Sequence, residues 1–337
     1  MSWAEPEAPD ALYTTADLFS AWHPDRPLSA ADTFDFRTYA AARQHGKAAL
    51  RVPPARPVAR ARAVHDGTMS WYLNERVAGE QVVAVMGGHR MARNSEGYRL
   101  VADLTHRLAG VGFLLVSGGG PGAMEATHVG ARASGSSVTL EQALAMMGAD
   151  RPSGDGDDGT LVFPLHAADE LFVDGRWDRL DEANVERLHR WQAPAFALAA
   201  ATAVDPGPSI GIPTWLYGHE PPTPLATEHA KYFDNSIRED GLLALATAGV
   251  VFAPGRAGTL QEIFQDAAQN YYESVADRFS PMVFLDVDGY WTQRFKVQSV
   301  LSELFDTEQQ EHLHWVTSVD EAVDALLAAN PPIADGR

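Results

Sequence analysis

FLLVSGGGPGAMEATHVGARA, residues 113–133, is the stretch that decides the architecture. Phe113 to Val116 is a short unbroken apolar run, the pattern of a strand covered on both faces. Gly118, Gly119, Gly120, Pro121 and Gly122 then form a turn, with Pro121 suited to a first helical turn where no donor is missed. A helical segment follows directly. One unit upstream, Val82 to Met86 (VVAVM) reads as another buried strand. Asn94 or Ser95 can cap a helix that carries Gly97, Val101, Leu104 and Leu108 on one face.

This strand–helix–strand–turn–helix order predicts an α/β protein with a doubly wound, mostly parallel, Rossmann-like sheet and right-handed crossovers. Downstream the rhythm breaks. Residues 136–208 read as an inserted helical and loop segment, with a short helix at 140–147, a polar loop SGDGDDG at 153–159 and a longer helix at 182–202. Alternation resumes with SIGI at 209–212, a helix from about Asn235, the strand VVFA at 250–253, the strand MVFLD at 282–286 and a last helix at 319–329. Ser318 and Glu321 have capping-box spacing for that last helix, and Pro331-Pro332 stop it. Residues 1–80 read as an N-terminal extension, 81–330 as the sheet domain with its insertion, and 331–337 as a tail. Within the extension, TTADLFSAW at 14–22 suggests a short helix, and the Pro- and Arg-rich RVPPARPVARAR at 51–62 an extended, solvated arm.

The 337 residues include 26 basic and 45 acidic side chains, a formal charge of 26 − 45 = −19. Such a balance argues against a nucleic-acid polymer or an anionic membrane as partner. It leaves room for a small phosphorylated ligand, which a few local arginines and backbone amides can hold. The absence of cysteine excludes disulfides, thiolate metal sites and cysteine nucleophiles. The acidic N-terminus lacks the apolar core of a signal peptide, and no uncharged run nears the roughly 20 residues of a membrane span. A cytoplasmic location is therefore expected. Lys47, Lys231 and Lys296 are the three lysines.

In an open parallel sheet, ligands bind beyond the carboxyl ends of the strands, near the switch in strand order. The unusual sequence lies at those ends: GGHR at 87–90, SGGGPG at 117–122, PTWLYGHE at 213–220 and APGRAGT at 253–259. Gly87, Gly88, Gly118, Gly119, Gly120, Gly122, Gly255 and Gly258 allow close backbone approach, and helix N-termini offer free amides to a phosphate. Thr259 adds a hydroxyl and Arg256 a guanidinium. Two residues have rival readings. Thr259 and Glu262 have capping-box spacing, which alone would account for Glu262. Asp234 and Arg238 have the spacing of an i,i+4 ion pair on a solvated helix face. The helix after the loop is expected to bury Leu260, Ile263, Phe264, Ala267 and Tyr271.

No GxxxxGK[ST] occurs, which disfavours a P-loop enzyme. Gly118, Gly120 and Ala123 fit GxGxxA, but no acidic residue ends a following strand at the spacing a dinucleotide site needs. The 12 histidines form no HExxH, and DGDDG lacks the later ligands of a calcium loop. No metal and no cofactor is called for.

Together SGGGPGAME at 117–125, PGRAGTLQE at 254–262 and Arg238 in DNSIRED resemble the LONELY GUY (LOG) family of nucleoside 5'-monophosphate phosphoribohydrolases, often mislabelled as lysine decarboxylases. The resemblance covers roughly residues 81–330, apart from the insertion. It implies hydrolysis of the N-glycosidic bond of an AMP-like nucleotide, releasing base and ribose 5-phosphate. It further implies Arg238 and Glu262 as a catalytic pair, the glycines and Thr259 as phosphate holders, and a homodimer. Arg256 departs from the family pattern, standing where a glycine is usual. A decarboxylase would hold pyridoxal phosphate through a lysine, and none of the three lysines lies in a suitable motif. Two alternatives remain: a nucleotide-binding or sensing protein without turnover, and a carrier of a phosphorylated cofactor such as molybdenum cofactor.

Overall fold

The computed structural model describes residues 8–46, 53–152, 159–166, 170–176, 178–216, 221–272 and 279–331. Its strands are β1 (Val82–Met86), β2 (Leu114–Ser117), β3 (Ser209–Gly211), β4 (Glu228–His229), β5 (Gly249–Phe252), β6 (Met282–Leu285) and β7 (Leu313–Val316). They form one seven-stranded sheet in the order β4-β3-β2-β1-β5-β6-β7. Every neighbouring pair is parallel. The fold is thus Rossmann-like α/β.

The helices are α1 (Thr15–Phe19), α2 (Phe34–Gln44), α3 (Arg56–Val77), α4 (Glu96–Gly110), α5 (Ala123–Gly135), α6 (Leu140–Met146) and α7 (Glu182–Ala201). After them come α8 (Asn235–Leu245), α9 (Ala257–Tyr271), α10 (Val297–Leu304), α11 (Thr307–Gln310) and α12 (Val319–Ala329). Side chains alternate across a strand, so β1 serves two cores. Val83 and Val85 belong to the core built with α4, α5, α12 and the end of α7. Val82, Ala84 and Met86 meet α3, α8, α9 and α10. Both faces are covered, which is why the strand sequences are apolar without a break.

Three expectations are corrected. The Arg- and Pro-rich stretch is helical rather than extended: from Arg56 it enters α3, 22 residues long, with a proline in its first turn, while Arg56 and Arg60 remain exposed. A proline there costs no hydrogen bond, and Met69, Leu73 and Val77 then cover one face of the sheet. Pro121 precedes the helix rather than entering it, because Gly122 is the N-cap of α5. On α9 the buried residues are Thr259, Ile263, Asp266, Ala267 and Asn270, whereas Phe264 and Tyr271 are exposed. A polar stripe replaces part of the apolar one, since Asn270 exchanges hydrogen bonds with the backbone of Ser280.

The N-terminal helices and residues between 163 and 191 build a third core together with Trp215 and Phe233. Phe36 and Tyr39 pack with Phe163, Phe172, Trp191, Trp215 and Phe233. Trp22 stacks on Phe196 of α7 at 3.9 Å between ring centres. At the sheet edge, Tyr13 and His229 exchange backbone hydrogen bonds of 2.9 and 2.7 Å. This contact shields the outer strand from pairing with another chain. The buried Arg93 ties α5 to the Thr160 loop and to α7. It forms a bidentate pair with Glu125 at 2.6 and 2.8 Å and donates to the carbonyls of Thr160 and Trp191. Among the described residues no helix is long and apolar enough to cross a membrane.

Candidate functional site

Chain order and strand order part company at β1. The strands from β1 to β4 run outward on one side, and β5 returns to pair with the other side of β1. At such a switch the two flanking loops diverge and leave a crevice above the carboxyl ends of the strands. A cleft of about 1260 Å³ lies there. Gly87 and Gly88 leave β1 into it, and Pro254, Gly255, Arg256, Gly258 and Thr259 leave β5 into it. Arg238 of α8 and Glu262 of α9 line the same space. The amide of Gly88 donates to the carbonyl of Pro254 at 3.1 Å, which ties the two loops together.

The start of α9 is organised to receive an anion. Arg256 is its N-cap and provides no side-chain cap. The amides of the first helical turn have no partner within the helix, and the helix dipole adds partial positive charge there, worth about 0.3–1 kcal/mol toward an anion and more when partly buried. A Cβ on Gly258 would meet nothing within 4 Å, so its backbone stands open. Gly255 is glycine for a different reason: a Cβ there would lie 2.1 Å from the Thr259 hydroxyl. Tyr290 holds this loop from the far side, its hydroxyl donating to the Gly255 carbonyl at 2.5 Å.

Helix α9 begins at Ala257, two residues before Thr259. Thr259 is therefore inside the helix, and a capping box with Glu262 does not form. Arg256 has φ −124°, outside the left-handed region that favours glycine, so this position does not demand a glycine for a positive φ. Its side chain is exposed on the cleft wall.

Arg238 is buried, at 6 % exposure, yet its Nε has no hydrogen-bond partner. Asp234 instead caps α8, its carboxylate accepting from the Ser236 amide at 2.9 Å. The expected ion pair with Arg238 does not form among the described residues. A buried guanidinium donor without an acceptor costs free energy, and this one lines a cavity.

The SGGGPG turn behaves differently. Gly118, Gly119, Gly120 and Gly122 are all buried and none lines the cleft. Gly119 has φ +68° and presses on Gly211 and Pro213, its carbonyl accepting from the Thr223 amide at 2.7 Å. Gly122 has φ +70°, and a Cβ on it would lie 2.3 Å from the Gly88 carbonyl oxygen. Here glycine admits protein backbone. The group from this motif that reaches the cleft is Met124.

Several cleft residues were given no role by the sequence. Arg90 closes the GGHR stretch that follows β1. Arg294 stacks on Tyr290 at 5.3 Å, and Asp288 adopts φ +54° beside them. The VDG turn at 287–289 marks Asp288, because Asp tolerates the left-handed region. Nothing local marks Tyr290 or Arg294, which arrive by packing. Four arginines (Arg90, Arg238, Arg256 and Arg294) line the cleft of a chain with formal charge −19. Glu96, Glu239, Glu262 and Asp288 are the acidic groups among them.

Among the described residues no lysine lines the cleft. Lys231 is buried against Asp35 and over the Trp215 ring, and burial lowers its pKa despite the attraction of Asp35. Lys296 caps α10, and Lys47 lies outside the described residues. Among the described residues a lysine-bound pyridoxal phosphate has no anchor in this site. No group of three or more His, Cys, Asp or Glu residues is placed to hold a metal ion among the described residues.

Residues 196–326 match the family model described as "Possible lysine decarboxylase". The chain matches no curated protein. Among solved structures it is similar to the molybdenum cofactor carrier protein of Chlamydomonas reinhardtii at 14% identity, covering 74% of this chain and 98% of that one, with a TM-score of 0.41. It is also similar to the protein TM1055, at 19% identity, 74% and 99% coverage and a TM-score of 0.42. A third is the molybdenum cofactor binding protein of Rippkaea orientalis, at 12% identity, 74% and 96% coverage and a TM-score of 0.37. The matched segment, residues 196–326, holds Arg238 and the whole PGRAGTLQE loop.

Proposed function

We propose that the cleft binds a nucleoside 5'-monophosphate and hydrolyses its N-glycosidic bond. The observation that carries this reading is the meeting, in one cleft, of the open α9 N-terminus, Arg238 and Glu262. The 5'-phosphate sits on the amides of Ala257, Gly258 and Thr259, with the Thr259 hydroxyl and Arg256 beside it. Held there, the nucleotide presents its ribose to Arg238 and Glu262, and this fixed orientation removes part of the entropic barrier. Cleavage of the C–N bond passes through an oxocarbenium-like state. Positive charge grows on the ribose as the electron pair leaves with the base. Glu262 stabilises that charge and takes a proton from the attacking water. Arg238 orients the ribose phosphate.

The test is incubation with a panel of nucleoside monophosphates, followed by chromatography of the free base. Base release from one or more of them is expected. Binding without release in every case removes the hydrolytic step.

A second reading, a carrier or sensor of a larger phosphorylated molecule, is favoured by the size of the cleft. At about 1260 Å³ it exceeds the roughly 300–1,000 Å³ usual for small-ligand pockets. Mass spectrometry of the protein as purified distinguishes this reading by a retained phosphorylated ligand such as a pterin. We further propose a homodimer in the cytoplasm. Exposed Ile237, Phe264, Tyr271 and Tyr272 on and beside α8 and α9 form the apolar surface available for it, and light scattering gives the mass.

A further inference from the structure

Next to the main cleft lies a second concavity of about 500 Å³, walled by Val162, Phe163 and Pro164 and lined by Arg90, His166, Arg187 and Arg190. No carboxylate lines it among the described residues. We propose that this concavity is a second anion site that takes a phosphate-class dianion, joined to the main cleft through Arg90. The proposal stands independently of the nucleotide reading of the main cleft.

Arg187 and Arg190 are three residues apart on α7, so their side chains rise from the same face. Like charges so placed repel, and the repulsion is relieved when an anion enters between them. Arg187 is already aimed, donating to the Pro164 carbonyl at 2.7 Å and to the Asn184 side chain at 2.9 Å. Arg190 makes no ion pair or hydrogen bond among the described residues. Glu186, four residues before it on the same helix, does not pair with it. From the opposite side, Arg90 donates to the Leu165 carbonyl at 3.0 Å and to Nδ1 of His166 at 2.7 Å. A guanidinium can only donate, so Nδ1 is the acceptor and the second ring nitrogen of His166 is a further donor. The carboxylate recorded against this segment, Glu170, accepts from the His166 amide.

Three arginine forks and an imidazole around one hollow match the geometry of phosphate oxygens, which accept bidentate pairs. Arg90 lines both hollows. A ligand with two separated phosphates can therefore occupy them together, and a free phosphate ion can occupy the second one alone.

The test is a crystal of the full chain soaked in tungstate as a phosphate mimic, read by anomalous scattering. A peak is expected within bonding distance of Arg187 and Arg190, and it should vanish in the Arg187→Ala, Arg190→Ala variant. No peak there, or a peak that survives both substitutions, overturns the proposal. Arg190→Glu removes no recorded bond, so it tests the site even if loss of Arg187 disturbs the fold. A peak in this hollow with none at the α9 N-terminus would count against the nucleotide reading alone. Calorimetry with inorganic phosphate, AMP and adenosine 3',5'-bisphosphate then separates the sources. Loss of two charged hydrogen-bond donors should weaken the relevant anion about tenfold or more. Weakening of the bisphosphate but not AMP assigns the site to the ligand's own second phosphate. Weakening of inorganic phosphate alone assigns it to the free ion. Unchanged affinities for both overturn the proposal.

Discussion

Two glycine-rich turns follow two parallel strands in this chain, and the fold uses them in opposite ways. The turn after β5 keeps its backbone open. Gly258 has empty space where a Cβ would be, and the helix behind it starts without a side-chain cap. The turn after β2 is filled, with Gly119 and Gly122 at positive φ and pressed against Gly211, Pro213, Gly88 and His89. A Cβ at Gly258 would meet nothing of the protein, whereas at Gly119 and Gly122 it would run into protein backbone. The lesson is that a glycine run marks close approach without saying what approaches.

The contrast can be broken most sharply through chemistry. Glu262→Gln should lower base release by roughly 10²–10⁴-fold while AMP affinity persists, because the charge is lost and the shape kept. Single-turnover assays beside calorimetry check both halves. Wild-type turnover would remove Glu262 from the reaction and leave the open turn as a binding device only.

Next in size is the paired substitution of the two turns. Gly122→Ala forces φ +70° on alanine and drives a methyl toward the Gly88 carbonyl, so stability should fall by roughly 3 kcal/mol or more. Gly258→Ala meets no atom, and alanine is the better helix former, so stability should rise by about 0.5–1 kcal/mol while phosphate affinity falls. Urea unfolding and AMP titration of both variants decide it. Equal stability losses would show that the two turns are packed alike.

The filled side of the sheet also predicts a pH dependence. His128, bonded to Ser117 and Ser209 beneath the β2 turn, is held by burial at a pKa of about 3, and burial holds His229 at about 4. In the unfolded chain both take up protons near pH 6.5, so the unfolded state binds more protons below that value. Stability is full above about pH 6.5 and falls as pH drops toward 4, with up to about 1.4 kcal/mol per pH unit for each histidine. His128→Gln should flatten this slope. Thermal melts from pH 7 to pH 4 that show no decline would contradict the burial of both rings.

The smallest effect belongs to Arg256→Gly, which restores the family pattern. Because Arg256 sits at φ −124°, stability should change by no more than about 0.5 kcal/mol. AMP affinity should fall by less than about tenfold, as for one exposed charge contact. An unchanged affinity would place the guanidinium outside the phosphate site.

Much of this was legible in the chain. Apolar runs such as VVAVM and FLLV specify strands covered on both faces, since no polar residue interrupts them. PGRAGTLQE specifies a loop opening a helix, with Thr259 and Glu262 one turn apart. The conformation of Arg56 to Val77 was not legible: its prolines suggest an extended chain, and the apolar partners that Met69, Leu73 and Val77 find on the sheet favour a helix. The dissolution of the Asp234–Arg238 pair was equally hidden, because Asp234 is taken by the Ser236 amide. The polar stripe on α9 depends on Ser280, ten residues beyond Asn270.

By itself the sequence determined the parallel sheet, the position of the strand exits and the chemistry available at the β5 loop, because these follow from local periodicity and residue type. Only the tertiary structure decided which glycine turn stays open, that Arg238 is buried at the cleft with its Nε unpartnered, and that Arg90, Tyr290 and Arg294 join it. Those outcomes depend on strand order, which brings the β1 and β5 exits together although about 160 residues separate them, and contacts at that separation leave no local pattern.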